Sequence, residues 1–113
     1  MSGITTHVLD TSRGRPASGM FVLLEIRENQ RWREIADGRT DEDGRVRELL
    51  PAGAPLLTGI YRLTFGSGIY FEEQEIEGFY SEVAIVFHVR DANQHYHVPL
   101  LLSPYGYSTY RGS

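Results

Sequence analysis

Along most of the chain apolar and polar residues alternate one for one, and the breaks between such runs are filled by glycine, proline and aspartate. A period of two marks strands with one buried face, so the chain reads as all-β. Residues 4–10 open as a strand with Ile4, Thr6 and Val8 on one face and Thr5, His7 and Leu9 on the other. The segment 13–19 breaks it. A second strand is predicted from Phe21 to Arg27, with Val22, Leu24 and Ile26 inward and Glu25 and Arg27 facing water. A shorter third strand covers Trp32 to Ala36. The turn chemistry of Asp41-Glu42-Asp43-Gly44 leads into an expected strand from Arg45 to Leu49, followed by a loop from Pro51 to Pro55. Alternation resumes from Ile60 to Phe65, with Tyr61, Leu63 and Phe65 inward. It returns in Val83, Ile85, Phe87 and Val89, set against Ala84, Val86 and His88. The last run sets Tyr96, Val98, Leu100 and Leu102 against His95, His97 and Leu101.

Only residues 69–77 break the rule. They are rich in glutamate and carry Ile69, Glu72, Glu73 and Ile76 at helical offsets, so one short helix is expected there. About seven or eight strands with almost no helix predict a sandwich of two antiparallel sheets.

The length of 113 residues suits a single domain, 1–113, with one hydrophobic core. With no cysteine there is no disulfide framework, thiolate metal site or cysteine nucleophile. The first residues lack the basic region and apolar core of a signal peptide, and no stretch approaches the roughly 20 apolar residues of a membrane span. A cytoplasmic protein without a membrane partner is expected. A net charge of -4 gives no electrostatic footprint for nucleic acid.

Candidate chemistry concentrates at the two ends of the chain. Period two puts His95 and His97 on one face of a strand, about 7 Å apart at their Cα atoms and turned away from the core. Such a pair can begin a zinc site, but a third ligand would have to come from His7, His88 or a carboxylate. Two solvated histidines are the plainer reading. His7 shares a face with Thr5 and Leu9, and Arg45 follows a turn; each is unremarked alone. The final Tyr110-Arg111-Gly112-Ser113 gathers a phenol, a guanidinium, a glycine and a carboxylate, a set able to hydrogen-bond a polar planar ligand. No nucleophile elbow or phosphate-binding glycine loop is present.

Taken together, Thr5-Thr6-His7-Val8-Leu9-Asp10, Asp43-Gly44-Arg45, the run from His95 to Thr109 and the terminal Tyr110-Arg111-Gly112-Ser113 resemble the 5-hydroxyisourate hydrolases, the transthyretin-related enzymes of urate breakdown. The likeness runs the length of the chain in order. One departure is Ser81, where the family commonly has proline. The resemblance implies a transthyretin-like sandwich that pairs through edge strands into dimers and then a homotetramer, with active sites in the channel between dimers. It carries His7, Arg45 and His97 over as catalytic residues. Those three with Tyr110, Arg111, Gly112 and Ser113 carry over as substrate-binding residues, and His95 has no catalytic role.

The implied reaction is hydrolysis of a cyclic amide, converting 5-hydroxyisourate to 2-oxo-4-hydroxy-4-carboxy-5-ureidoimidazoline. Water needs a base at neutral pH, and His7 or His97 has the matching pKa range. Arg45 stays protonated and suits the charge developing on ring oxygens. Arg111 either joins the pocket or anchors the tail. Neither metal nor cofactor is required. The alternative is a transthyretin-like carrier using the same channel for a small ligand, which the polar set argues against. A metallohydrolase built on His95 and His97 is a third reading.

Overall fold

A computed structural model describes residues 3–51 and 53–113; Met1, Ser2 and Ala52, the last within the expected Pro51 to Pro55 loop, lie outside the described residues. The alternating runs form eight strands: β1 (Ile4–Asp10), β2 (Arg15–Pro16), β3 (Phe21–Glu28), β4 (Arg31–Arg39), β5 (Gly59–Phe65), β6 (Val83–Val89), β7 (Tyr96–Ser103) and β8 (Gly106–Thr109), with helix α1 (Ser67–Glu72) between β5 and β6. They make two four-stranded sheets, ordered β2-β1-β7-β8 and β4-β3-β5-β6. Between them lie Ile4 and Val8 of β1, Val22 and Leu24 of β3, Leu63 and Phe65 of β5 and Leu100 and Leu102 of β7, all with almost no exposed surface. These are the inward positions of the period-two pattern. Side chains of that size each contribute about 1.5–3 kcal/mol by leaving water, which makes the facing sheets the main source of stability.

Several local features differ from the pattern the sequence predicts. The sandwich stands, but β1 and β7 pair in parallel, with Thr5 opposite His97 and His7 opposite Pro99. The two strands meet only after the chain has traversed the whole second sheet, and alternation carries no information on strand direction. Arg45 to Leu49 is not a strand. Arg45 makes a single bridge to His7, and the chain then turns so that Val46, Leu49 and Leu50 plug the core. Glu25 does not meet water. It is buried at 7% exposure and bonded at 2.8 Å to Arg62, whose guanidinium lies 4.3 Å from the centre of the Trp32 ring. Finally, α1 begins and ends earlier than 69–77: Glu75 adopts φ 59°, which a right-handed helix cannot contain, and Ser67, Tyr70 and Phe71 are the residues it buries.

β4 also runs longer than Trp32 to Ala36. Its pairing with β3 continues to Arg39 past an irregularity opposite Leu24 and Glu25, since backbone pairing at an edge needs no apolar side chains. At the other end of the sandwich the buried carboxylate of Asp10 accepts a 2.7 Å hydrogen bond from the Tyr70 hydroxyl and another from Ser12. That fastens α1 to β1.

Candidate active site

The outer face of the first sheet is where the polar side chains gather. β1 turns Thr5, His7 and Leu9 outward, and β7, in parallel register beside it, turns His97 and Leu101 the same way, with His95 just before the strand begins. The sandwich itself is built by the opposite faces of these strands, so this row is free to carry chemistry.

Arg45 reaches the row through its turn. Asp41 accepts backbone N–H bonds from Asp43 at 2.9 Å and Arg45 at 3.0 Å, while the Asp41 N–H donates to the Arg45 carbonyl at 2.7 Å. Those bonds also hold the Asp41 carboxyl below the usual carboxylate range, the Arg45 N–H being the largest cause. Gly44 closes the turn against β1, its carbonyl accepting a hydrogen bond from the Val8 N–H at 2.9 Å. Its φ of 78° favours glycine, and a Cβ there would collide with the Val8 carbonyl and sit 3.3 Å from the His7 ring. Arg45, delivered this way beside His7, is exposed and lines a depression of about 270 Å³ with Thr5, Thr6, Asp41 and Asp43.

His97 is half-buried. Its Nδ1 lies 2.8 Å from Thr5 Oγ1, and its carbonyl accepts the Gly112 N–H at 2.8 Å. Gly112 passes so close over the imidazole that a Cβ would stand 2.5 Å from its Cδ2. Burial lowers the pKa of His97, and the positive charge of Arg45 followed by the neighbouring His7 and His95 lowers it further. The Thr5 backbone works the other way, so the net effect is that the charged form of this ring is disfavoured.

The residues of the tail divide. Gly112 sits on His97. Arg111 instead turns to Gln94, whose Oε1 accepts at 2.9 Å, to the His95 carbonyl at 3.3 Å and to the face of Tyr96, 4.5 Å from the ring centre. Tyr110 is 59% exposed and borders a cavity of about 230 Å³ with Ile85, Phe87, Tyr96 and Val98, at the side where β6 and β7 face each other. Ser113 is exposed. His7, Arg45 and His97 thus lie close together within one chain, Gly112 packs on His97, and Arg111 anchors the segment. Among the described residues no three His, Asp or Glu side chains are grouped as metal ligands.

The sequence reading passed over Thr5 and Asp41. Thr5 stands on the same period-two face as His7, but its place beside His97 depends on a strand pairing that the pattern does not contain. Asp41 is visible as turn chemistry only.

A sandwich whose outer sheet face carries two histidines, with an arginine beside them that lines an open depression, has the constellation of an enzyme rather than of an apolar carrier. The chain belongs to the HIUase/Transthyretin family, whose profile matches residues 4–112. It is 48% identical over 117 residues to the 5-hydroxyisourate hydrolase of Caulobacter vibrioides, covering all of both chains. The solved structure of Klebsiella pneumoniae 5-hydroxyisourate hydrolase superposes with a TM-score of 0.84 at 37% identity, over 97% of this chain and 92% of that one. Transthyretin from Sparus aurata superposes with a TM-score of 0.91 at 28% identity, over 99% and 97% of the two chains.

Proposed function

We propose that this chain hydrolyses 5-hydroxyisourate to 2-oxo-4-hydroxy-4-carboxy-5-ureidoimidazoline in urate breakdown. The observation that carries the reading is the meeting of His7, Arg45 and His97 on one outer sheet face, in a chain similar along its whole length to 5-hydroxyisourate hydrolases. Water adds to the ring carbonyl, a histidine of the pair removes its proton, and the ring C–N bond breaks as the nitrogen is protonated. Arg45, always charged and forked, binds the electron-rich ring and stabilises the oxyanion that forms. The contact of Gly112 with His97 supports a wall at the chain end that shields the ring from bulk water.

The shape is equally that of a carrier, but a channel for an apolar ligand gains nothing from histidines and an arginine. Leu9 and Leu101, half-buried on the catalytic face, support its being covered by further copies in a homotetramer. The site would then lie in the channel between dimers. The absence of cysteine and the mildly acidic charge fit the cytoplasm. Purified protein mixed with freshly generated 5-hydroxyisourate, with and without a chelator, tests the reading: turnover well above the spontaneous rate, unchanged by the chelator, is expected. Binding without turnover would favour the carrier.

A further inference from the structure

The hydroxyl of Thr5 stands between two imidazoles. Its Oγ1 is 2.8 Å from His97 Nδ1 and 2.9 Å from His95 Nε2, because the parallel register sets Thr5 beside His97 and period two brings His95 to the same face. A hydroxyl has one proton to give and can also accept, while a neutral imidazole carries its proton on one nitrogen and accepts on the other. The protons of the trio can therefore be placed by asking which arrangement leaves no donor idle.

If Thr5 donated to His95, the His95 proton would have to sit on Nδ1. That atom is buried and has no hydrogen-bond partner among the described residues. A buried donor without a partner is rarer and more costly than an idle acceptor. If Thr5 accepted from both rings, its own proton would be left to solvent in the depression, outside the trio, since the two imidazoles are its only side-chain partners among the described residues. In the remaining arrangement His95 Nε2–H donates to Thr5, Thr5 O–H donates to His97 Nδ1, and only an acceptor, His95 Nδ1, stays idle.

We infer that Thr5, backed by His95, is a positioning residue that holds His97 in the tautomer protonated on Nε2, so that His97 serves as a hydrogen-bond donor to the substrate and His7 carries the protons. The inference rests on the proposed site. His97 Nε2–H and Arg45 then form a pair of donors for the oxygen on which negative charge develops. His7 takes a proton from water as the O–C bond forms and passes it to the ring nitrogen as the C–N bond breaks, leaving a carboxylic acid that ionises to solvent. His97 ends the cycle with the proton it began with.

Nitrogen-15 spectra of the imidazoles, recorded on the substrate-free protein near neutral pH, read the tautomers directly. Both His97 and His95 are expected as Nε2–H, with bare Nδ1. In Thr5→Val the His97 signal should move toward a mixture of tautomers and kcat should fall about tenfold with little change in KM, the loss expected for one hydrogen bond that orients a reacting group. Thr5→Ser, which keeps the hydroxyl, should restore both. A wild-type His97 protonated on Nδ1 would overturn the inference even if Thr5→Val failed to fold, and so would a Thr5→Val spectrum identical to that of the wild type. The expected spectra in a protein that does not turn over 5-hydroxyisourate would uphold the tautomer and reject the hydrolase reading.

Discussion

His7, Arg45 and His97 owe their proximity to three separate devices: outward phase on β1, an Asp41-capped turn, and outward phase on β7. Replacing any of the three with alanine should lower turnover by about 10² or more with the fold intact, since general-base and charge-stabilising groups are of that size. His95→Ala should cost only a few-fold, because His95 reaches the reacting atoms through Thr5; a steady-state comparison of the four variants checks this. His97 also makes a pH signature. Its folded pKa lies below its unfolded value near 6.5, so the unfolded chain binds more protons as pH falls through that range. Stability should therefore decline on acidification below about pH 6.5 and level off once the folded ring is protonated too. Arg45→Gln removes a positive neighbour and should raise the His97 pKa, read by NMR titration beside the remaining His7 and His95.

At the scale of elements, the site depends on two close backbone approaches. Gly44 lies against β1 and Gly112 against the His97 ring, and in neither place is there room for a Cβ. Gly112→Ala must push the tail or the imidazole aside, and turnover should drop by about tenfold to a hundredfold while thermal unfolding changes little, since an ångström of misplacement acts on chemistry more than on the core. Deleting residues 110–113 should act in the same direction and more strongly. Strand β8 ends at Thr109, whose hydroxyl still donates to the Pro99 carbonyl at 2.7 Å, so the sheet survives the deletion. A truncated protein with full activity and an unchanged melting temperature would remove the tail from the site.

At the scale of the whole molecule, the sandwich leaves β8 and β6 as free edges on the same side, and Val86, Tyr107 and Tyr110 are substantially exposed there. Open edges with apolar side chains invite pairing with another copy. Light scattering at micromolar concentration is expected to give a tetramer. Leu101→Glu, placed on the catalytic face rather than at an edge, should stop assembly at the dimer, because a carboxylate in an apolar contact cannot be buried without a partner. An active monomer would show that one chain encloses the substrate alone.

The layers of this protein are legible in its residue pattern. Alternation separates the two faces of residues 4–10 and names the inward faces of the runs from Ile60 to Phe65 and from Tyr96 to Leu102 correctly, because a pleated strand half-buried in a sandwich must sort its side chains by parity. Parity also put His7 on one face with Thr5 and Leu9 and put His95 with His97, and the motif likeness picked out Arg45. It could not say that β1 lies beside β7 in parallel, nor that the chain turns into the core after Arg45 rather than continuing as a strand. Nor could it show that Arg111 binds Gln94 and the His95 carbonyl while Glu25 is buried under Arg62. Each of those is a meeting between residues far apart in the chain, governed by register and by where the sandwich closes. Local pattern specifies which way a side chain points; only the assembled sheets decide what it points at.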